Sequence, residues 1–325
     1  MKPQIKIEEN KIIDLERCQY SSRHGRYGGN AGSKDGILIN NEPWIVKYPK
    51  STIGMKGNNL PSYTTAPLSE YIGSHIYEKL GIPVHETALG IRKGKLVVAC
   101  KDFQKVLGDL AEVRQLKNSI LEDDNINTSI TGDAVILEEL YYHFDNNVLM
   151  NREDLKNQFY TMMIIDILIN NNDRNNGNWG LLYNNDSNAY DLAPVYDNGN
   201  AFYNKADDKK LLNILNNDNA DMLKGSRTIY QLNGINLSVK ALLNLNDNRL
   251  KDNLINNMPI IINKMPEIID FINNIPEQYE GIKVMSKIMK EAYINNLNIM
   301  EQEVLYPKYV EIAQEKGIDI CNIQK

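Results

Sequence analysis

The stretch from Ile164 to Phe202, IIDILINNNDRNNGNWGLLYNNDSNAYDLAPVYDNGNAF, constrains the fold of this 325-residue chain more than any other. An apolar helical run leads into a segment rich in Asn and Gly, from Asn170 to Gly180. Two short strands follow, Leu181–Tyr183 and Ala189–Val195, joined by the polar turn NNDSN. Asp173 and Asn178 stand five residues apart in the loop, and Asp197 follows the hairpin. Asp and Asn are common turn residues, and this chain is rich in Asn throughout, so the pair alone is also what a plain loop would show. The pair, the hairpin and the second Asp together carry a sharper meaning.

Phosphoryl transfer needs a carboxylate to orient and deprotonate the attacking hydroxyl, and hard oxygen ligands to hold magnesium against a triphosphate. In a helix–loop–hairpin arrangement Asp173 supplies the base, while Asn178 and Asp197 supply the Mg²⁺ ligands. Upstream, RYGGNAGSKDG (Arg26 to Gly36) runs directly into a strand. Its glycines allow backbone amides to approach phosphate oxygens, which makes Gly29, Asn30, Ala31, Gly32, Ser33 and Lys34 a candidate nucleotide loop. A glycine cluster by itself is more often an ordinary loop, and no Walker pattern is present. In PWIVKYPK, strand alternation places Lys47 on one face with Ile45, opposite Trp44, Val46 and Tyr48. A lysine there is either solvated at a sheet edge or, in a nucleotide-binding lobe, directed at the α- and β-phosphates. Glu70 is its candidate partner, although a helical wheel sets it away from the Ile72/Ile76 stripe, which equally suits an exposed side chain. The connector Cys100–Phe103 is where an adenine ring would meet the chain, with Lys101 and Phe103 as candidate contacts.

The order of elements predicts an α+β, two-lobed chain. Residues 1–103 read as a small nucleotide-binding lobe of strands around one helix, Pro67 to Leu80, whose Ile72, Ile76 and Leu80 recur every four residues. Residues 104–325 read as a larger helical lobe containing the loop and hairpin. Helices are expected over GDLAEVRQLKNSIL, AVILEELYYHF and EDLKNQFYTMMIIDILI, then to the C-terminus, with breaks at Pro259, Pro266 and Pro276.

Composition closes off other classes. A net charge of −6 argues against general nucleic-acid binding. The most apolar stretch, Tyr160 to Ile169, is interrupted by Asp166 and too short for a bilayer span. The charged N-terminus lacks an apolar signal core, so a soluble, cytoplasmic protein is expected, with non-classical export left open. Three scattered cysteines and four scattered histidines fit neither a disulfide framework nor zinc-ligand spacing.

The motifs AGSKDG, WIVKYPK, SEYIGSHIYEKLGIPV, NNDRNNGNWG and YDLAPVYDNG occur in the order seen in HipA-like serine/threonine kinases, and from Tyr27 to Phe202 the chain resembles that family. The resemblance implies a protein-kinase-like fold, ATP with Mg²⁺, transfer to Ser or Thr, and autophosphorylation. By motif match it sets Asp173 on the catalytic aspartate, Asn178 and Asp197 on the metal positions, Lys47 on the nucleotide lysine and Gly29 to Lys34 on the phosphate loop. This chain differs in having Asn175 where the family usually has His, and Asn198–Gly199 after Asp197 where apolar residues are usual. Neither change removes a ligand. The family's toxin members pair with an antitoxin, and nothing in this sequence indicates such a partner. A small-molecule kinase on the same architecture, or an inactive nucleotide-binding scaffold, are the rival readings.

Overall fold

The structure, a computed structural model, describes residues 4–25, 34–55, 57, 60–105, 107–117, 134–217 and 219–320. The chain divides into two compact units. One comprises Met1–Val106, Tyr196–Asp218 and Pro266–Asn295, and the other Leu107–Val195, Asn219–Met265 and Asn296–Lys325. Asp197 therefore belongs to the first unit, and Asp173 and Asn178 to the second.

The first unit is built on a five-stranded sheet in the order β1-β4-β5-β3-β2. Its strands are β1 (Ile13–Asp14), β2 (Lys34–Ile39), β3 (Glu42–Lys47), β4 (Thr87–Arg92) and β5 (Lys95–Lys101). Neighbours run antiparallel except β1 against β4. Asn40 and Asn41 link β2 to β3 with φ of 52° and 68°, the left-handed pair a two-residue hairpin needs and Asn tolerates. Alternation in β3 drives Trp44 and Val46 into a core with Ile37, Ile39, Val97 and Ala99, each large side chain contributing about 1.5–3 kcal/mol by leaving water. Register sets Lys47 beside Lys34 on one side and Val98 on the other.

Helix α1 (Ala66–Lys79) begins with Pro67 in its first turn, where the missing N–H costs nothing. It ends in a Schellman turn: Gly81 takes φ 78°, its amide reaches the Glu78 carbonyl, and Ile82 N–H reaches Tyr77. Every residue from Pro67 to Tyr77 is buried, so the helix has no solvent face over that length.

In the second unit β6 (Asp109–Glu112), β8 (Gly180–Asn184) and β9 (Ala189–Leu192) form an antiparallel sheet in the order β6-β8-β9. The β8–β9 hairpin follows the sequence expectation. The helix expected from Gly108 onward does not start there, because Asp109–Glu112 pair as a strand with Gly180–Tyr183. Gly180 is the reason: a Cβ there would lie 2.2 Å from the Ala111 carbonyl oxygen, so only glycine permits the pairing. Val135–Ile136 likewise form a short strand, β7, before α2 (Leu137–Asn146). Helix α3 (Glu153–Leu168) leads into the loop as expected.

Pro259 and Pro266 do not break the chain. Both lie inside one helix, Asn248–Asn273, whose Leu250, Leu254, Met258, Ile261, Met265 and Ile268 are buried at helical spacing. Burial of that stripe outweighs about 3 kcal/mol lost at each interior proline. Among the described residues no helix is long and apolar enough to cross a membrane.

Candidate functional site

In the first unit the chemistry gathers around Lys47 at the end of β3. Its Nζ lies 2.9 Å from Glu70 Oε2 and 2.9 Å from Asp197 Oδ1. Glu70 is 1% exposed, and its other oxygen, Oε1, lies 3.0 Å from His85 Nε2. Burial opposes charge on Lys47, Glu70 and Asp197 alike, yet their mutual attraction wins. The ammonium of Lys47 holds the Asp197 carboxyl below its ordinary range. Burial pushes Glu70 upward, but Lys47 and His85 outweigh it and keep that carboxyl ionised. Burial likewise disfavours charge on Lys47, and Asp197 with Glu70 reverse the effect, so the lysine stays protonated well above its usual range. Cys100 adjoins Glu70 and His85, with their ligand atoms within 4.8 Å of one another, and burial pushes its thiol far above its usual range, so it sits there neutral.

Asp197 takes φ 61°, a left-handed conformation that Asp tolerates better than most residues and that is typical of functional turns. The next residues follow the same helix closely. Asn198 Nδ2 donates to Ser74 Oγ at 3.0 Å, and a Cβ on Gly199 would meet Glu70 Oε2 at 3.1 Å. Lys34, across the ladder from Lys47, has its ammonium destabilised first by burial and then by the charge of Lys47. Asp197 and Glu70 act on Lys34 in the opposite sense, so the two adjacent lysines share the two carboxylates' field.

The connector residues are placed differently from one another. Lys101 Nζ pairs with Glu42 at 2.9 Å and Glu86 at 3.3 Å. Phe103 packs at 5.5 Å from the ring of Tyr196. Between them, buried Asp102 takes a 2.7 Å hydrogen bond from Arg23. Gly29, Asn30, Ala31, Gly32 and Ser33 lie outside the described residues; of the candidate loop, Lys34 is described.

In the second unit the loop after α3 is fixed by a charge pair that the sequence reading did not identify. Arg174 is 1% and Asp166 2% exposed. Arg174 Nε donates to Asp166 Oδ2 at 2.8 Å and Nη2 to Oδ1 at 3.0 Å, the bidentate fork that makes a buried pair worthwhile. Asn171 adds a 2.9 Å bond to the same carboxylate. Arg174 Nη1 also reaches the Asn178 carbonyl at 3.3 Å. Pinned at both ends, the loop folds on itself: Asn178 Nδ2 donates to the Asp173 carbonyl at 2.8 Å, and Asn176 Nδ2 holds the Ala134 carbonyl at 2.6 Å. Asp173 is exposed and Asn178 buried. The structure thus brings Asp173 and Asn178 together in one unit and Lys47 and Asp197 together in the other.

Signals for the residues overlooked were present. Asp166 interrupts an otherwise apolar run, and a buried carboxylate calls for a cation close by. Glu70 was masked by the helical wheel, which assumes a polar face that α1 does not have. His85 gave no local sign.

Comparison with known proteins gives the family and the fold. The family model described as HipA-like C-terminal domain matches residues 31–251. Serine/threonine-protein kinase CtkA of Helicobacter pylori is 37% identical over 205 residues, 63% of this chain. That match spans 60% of CtkA's length, less than two thirds of it. A crystal structure of a Helicobacter pylori proinflammatory kinase CtkA superposes with TM-score 0.80 at 29% identity, covering 94% of this chain and 99% of that one. HipA, in a Shewanella oneidensis complex with HipB and operator DNA, superposes with TM-score 0.52 at 11% identity over 96% of this chain and 77% of that one, a likeness of fold alone. The α+β, kinase-like fold expected from the sequence is the fold observed.

Proposed function

This chain belongs to the HipA-like C-terminal domain family, and on that premise we propose that it is a serine/threonine protein kinase using ATP and Mg²⁺. The observation that carries the reading is Lys47, held at 2.9 Å by both Glu70 and Asp197. A lysine kept cationic and aimed by two carboxylates is suited to phosphate oxygens, and Lys34 beside it adds a second cation. The metal side of the proposal rests on donor chemistry. Asn178 and Asp197 are each hard oxygen donors of the kind Mg²⁺ prefers, and each is assigned as a ligand for Mg²⁺, which neutralises phosphate charge when bound. Asp173, exposed on a loop locked by Arg174, is positioned to accept the proton of a Ser or Thr hydroxyl as it attacks.

Within the first unit the assigned roles are the nucleotide cations and the metal donor Asp197, and within the second the base Asp173 and the metal donor Asn178. Autophosphorylation, a separate protein substrate, and action as a soluble cytoplasmic protein belong to the same proposal. Intact-mass analysis of the purified chain after incubation with Mg-ATP and a Ser/Thr-rich acceptor tests it. Phosphoryl increments on the chain or acceptor with wild type, and none with Asp173→Asn, are expected. ATP consumption without any protein labelling would point to a small-molecule acceptor, and no consumption would remove the activity.

A further inference from the structure

We propose that Asn198, Ser74 and His85 form a buried polar bridge that positions Glu70, and through it Lys47, against the segment carrying Asp197. The inference rests on the nucleotide role given above to Lys47. All six residues lie in the first unit.

The bridge is continuous. Asn198, 0% exposed, donates from Nδ2 to Ser74 Oγ at 3.0 Å. Ser74 Oγ lies 3.2 Å from His85 Nε2, and the same nitrogen lies 3.0 Å from Glu70 Oε1. Lys47 occupies Glu70 Oε2. The proton positions follow from chemistry. Glu70 is ionised and can only accept, so Nε2 carries hydrogen. It is bonded to Ser74 Oγ and faces Glu70 Oε1 at 3.0 Å as an ionic contact, neither Glu70 oxygen having an aligned hydrogen bond. The serine oxygen, with two lone pairs, accepts from both the imidazole and the Asn198 amide. Glu70 therefore has an ammonium 2.9 Å from one oxygen and an imidazole 3.0 Å from the other, and these two close contacts hold it by charge rather than by aligned hydrogen bonds.

Three consecutive residues attach to this centre by different means. Asp197 binds Lys47, Asn198 binds Ser74 in α1, and Gly199 passes so close to Glu70 that a Cβ would sit 3.1 Å from its Oε2. A buried polar side chain is tolerated where it is hydrogen-bonded, and Asn198 at this position spends its amide on joining the strand-side and helix-side parts of the ion-pair centre. An apolar residue there would fill the space without registering the two parts to each other. His85 is thus a positioning residue, not a catalytic one.

The test is ATP affinity and steady-state kinetics for wild type, His85→Ala, His85→Gln, Asn198→Ala and the His85→Ala/Asn198→Ala double variant, with melting temperatures beside them. Removing a residue that orients a ligand-holding group weakens binding by roughly 10-fold or more. The expected pattern is a rise of that size in the ATP Kd and KM of His85→Ala, with kcat changed less. His85→Gln, whose amide nitrogen can replace Nε2, returns most of the affinity. The double variant is no weaker than the weaker single one, because both break the same bridge. Wild type that binds ATP, with His85→Ala within about twofold of it on the scale of that expected 10-fold loss, overturns the bridge and leaves the kinase reading standing. Wild type that binds no ATP overturns both. Equal losses in His85→Ala and His85→Gln at unchanged melting temperature overturn the hydrogen-bond role. If His85→Ala does not fold, Ser74→Ala replaces it: weakened ATP binding supports the bridge, and unchanged binding overturns it.

Discussion

Around Lys47 one ammonium is flanked by two carboxylates, and an imidazole completes the contact on the far side of Glu70. In the loop from Asn170 to Asn178 the buried charge is Arg174, paired with Asp166 of α3 and holding the backbone, while Asp173 stands exposed. The first region sets its charges in mutual contact, with Glu70 buried and Lys47 and Asp197 half-buried, and the second sets one carboxylate at the surface. Holding a polyanion calls for fixed, mutually stabilised charges, since reorganising them would cost binding energy. Moving a proton calls for a group that an incoming hydroxyl can reach. Under the proposed function, the two arrangements suit these two tasks.

The loop's dependence on one pair is the sharpest way to break that contrast. Arg174→Ala takes the guanidinium away from the buried Asp166, and loss of one partner of such a buried ion pair costs about 3–5 kcal/mol. Urea denaturation is expected to show a loss of that order, with Arg174→Lys recovering only part because lysine cannot form the two-pronged contact. A smaller effect is expected at the ion-pair centre from Gly199→Ala. The added methyl meets Glu70 Oε2 at 3.1 Å and the Ala66 carbonyl at 3.3 Å, and overpacking of this kind costs roughly 1–3 kcal/mol. Thermal unfolding reports the cost and ATP titration reports the displaced Glu70; unchanged values in both would show that the segment after Asp197 does not press on α1.

The smallest effect is a pH dependence that the Lys47 centre does not produce near neutrality. Glu70 and Asp197 have depressed values, so their contribution is present above the ordinary carboxylate range and fails only in acid. Lys47 has a raised value, so its contribution persists well into alkali. His75 behaves oppositely. Burial between Tyr71 and Phe271, at 4.1 Å and 5.0 Å, lowers its pKa, and burial also lowers that of His143. The unfolded chain then takes up protons first, so stability present above about pH 6.5, the ordinary histidine value, declines as pH falls below it. Melting temperatures measured from neutral pH downward are expected to drop through that range, and His75→Gln is expected to flatten the slope.

Much of this was legible in the sequence, for local reasons. The alternation of β3 is a short-range pattern, and it placed Lys47 on its strand. The spacing of Asp173, Asn178 and Asp197 survives in any fold that keeps the loop and hairpin. What was hidden depended on partners distant in the chain. Glu70 is invisible to a helical wheel when α1 is buried on every side. Gly180 turns an apparent helix start into a strand through a contact with Ala111, far from it in sequence. Pro259 and Pro266 read as breaks until the buried stripe of their helix is known.

The most direct test of the division of tasks compares Asp173→Asn with Lys47→Met, measuring ATP Kd and phosphoryl transfer for both. Asp173→Asn is expected to bind ATP as wild type does while transfer falls by roughly 10²–10⁴-fold, the usual contribution of a general base. Lys47→Met is expected to lose ATP affinity. Equal loss of affinity in both variants, or transfer near wild type in Asp173→Asn, would contradict the account.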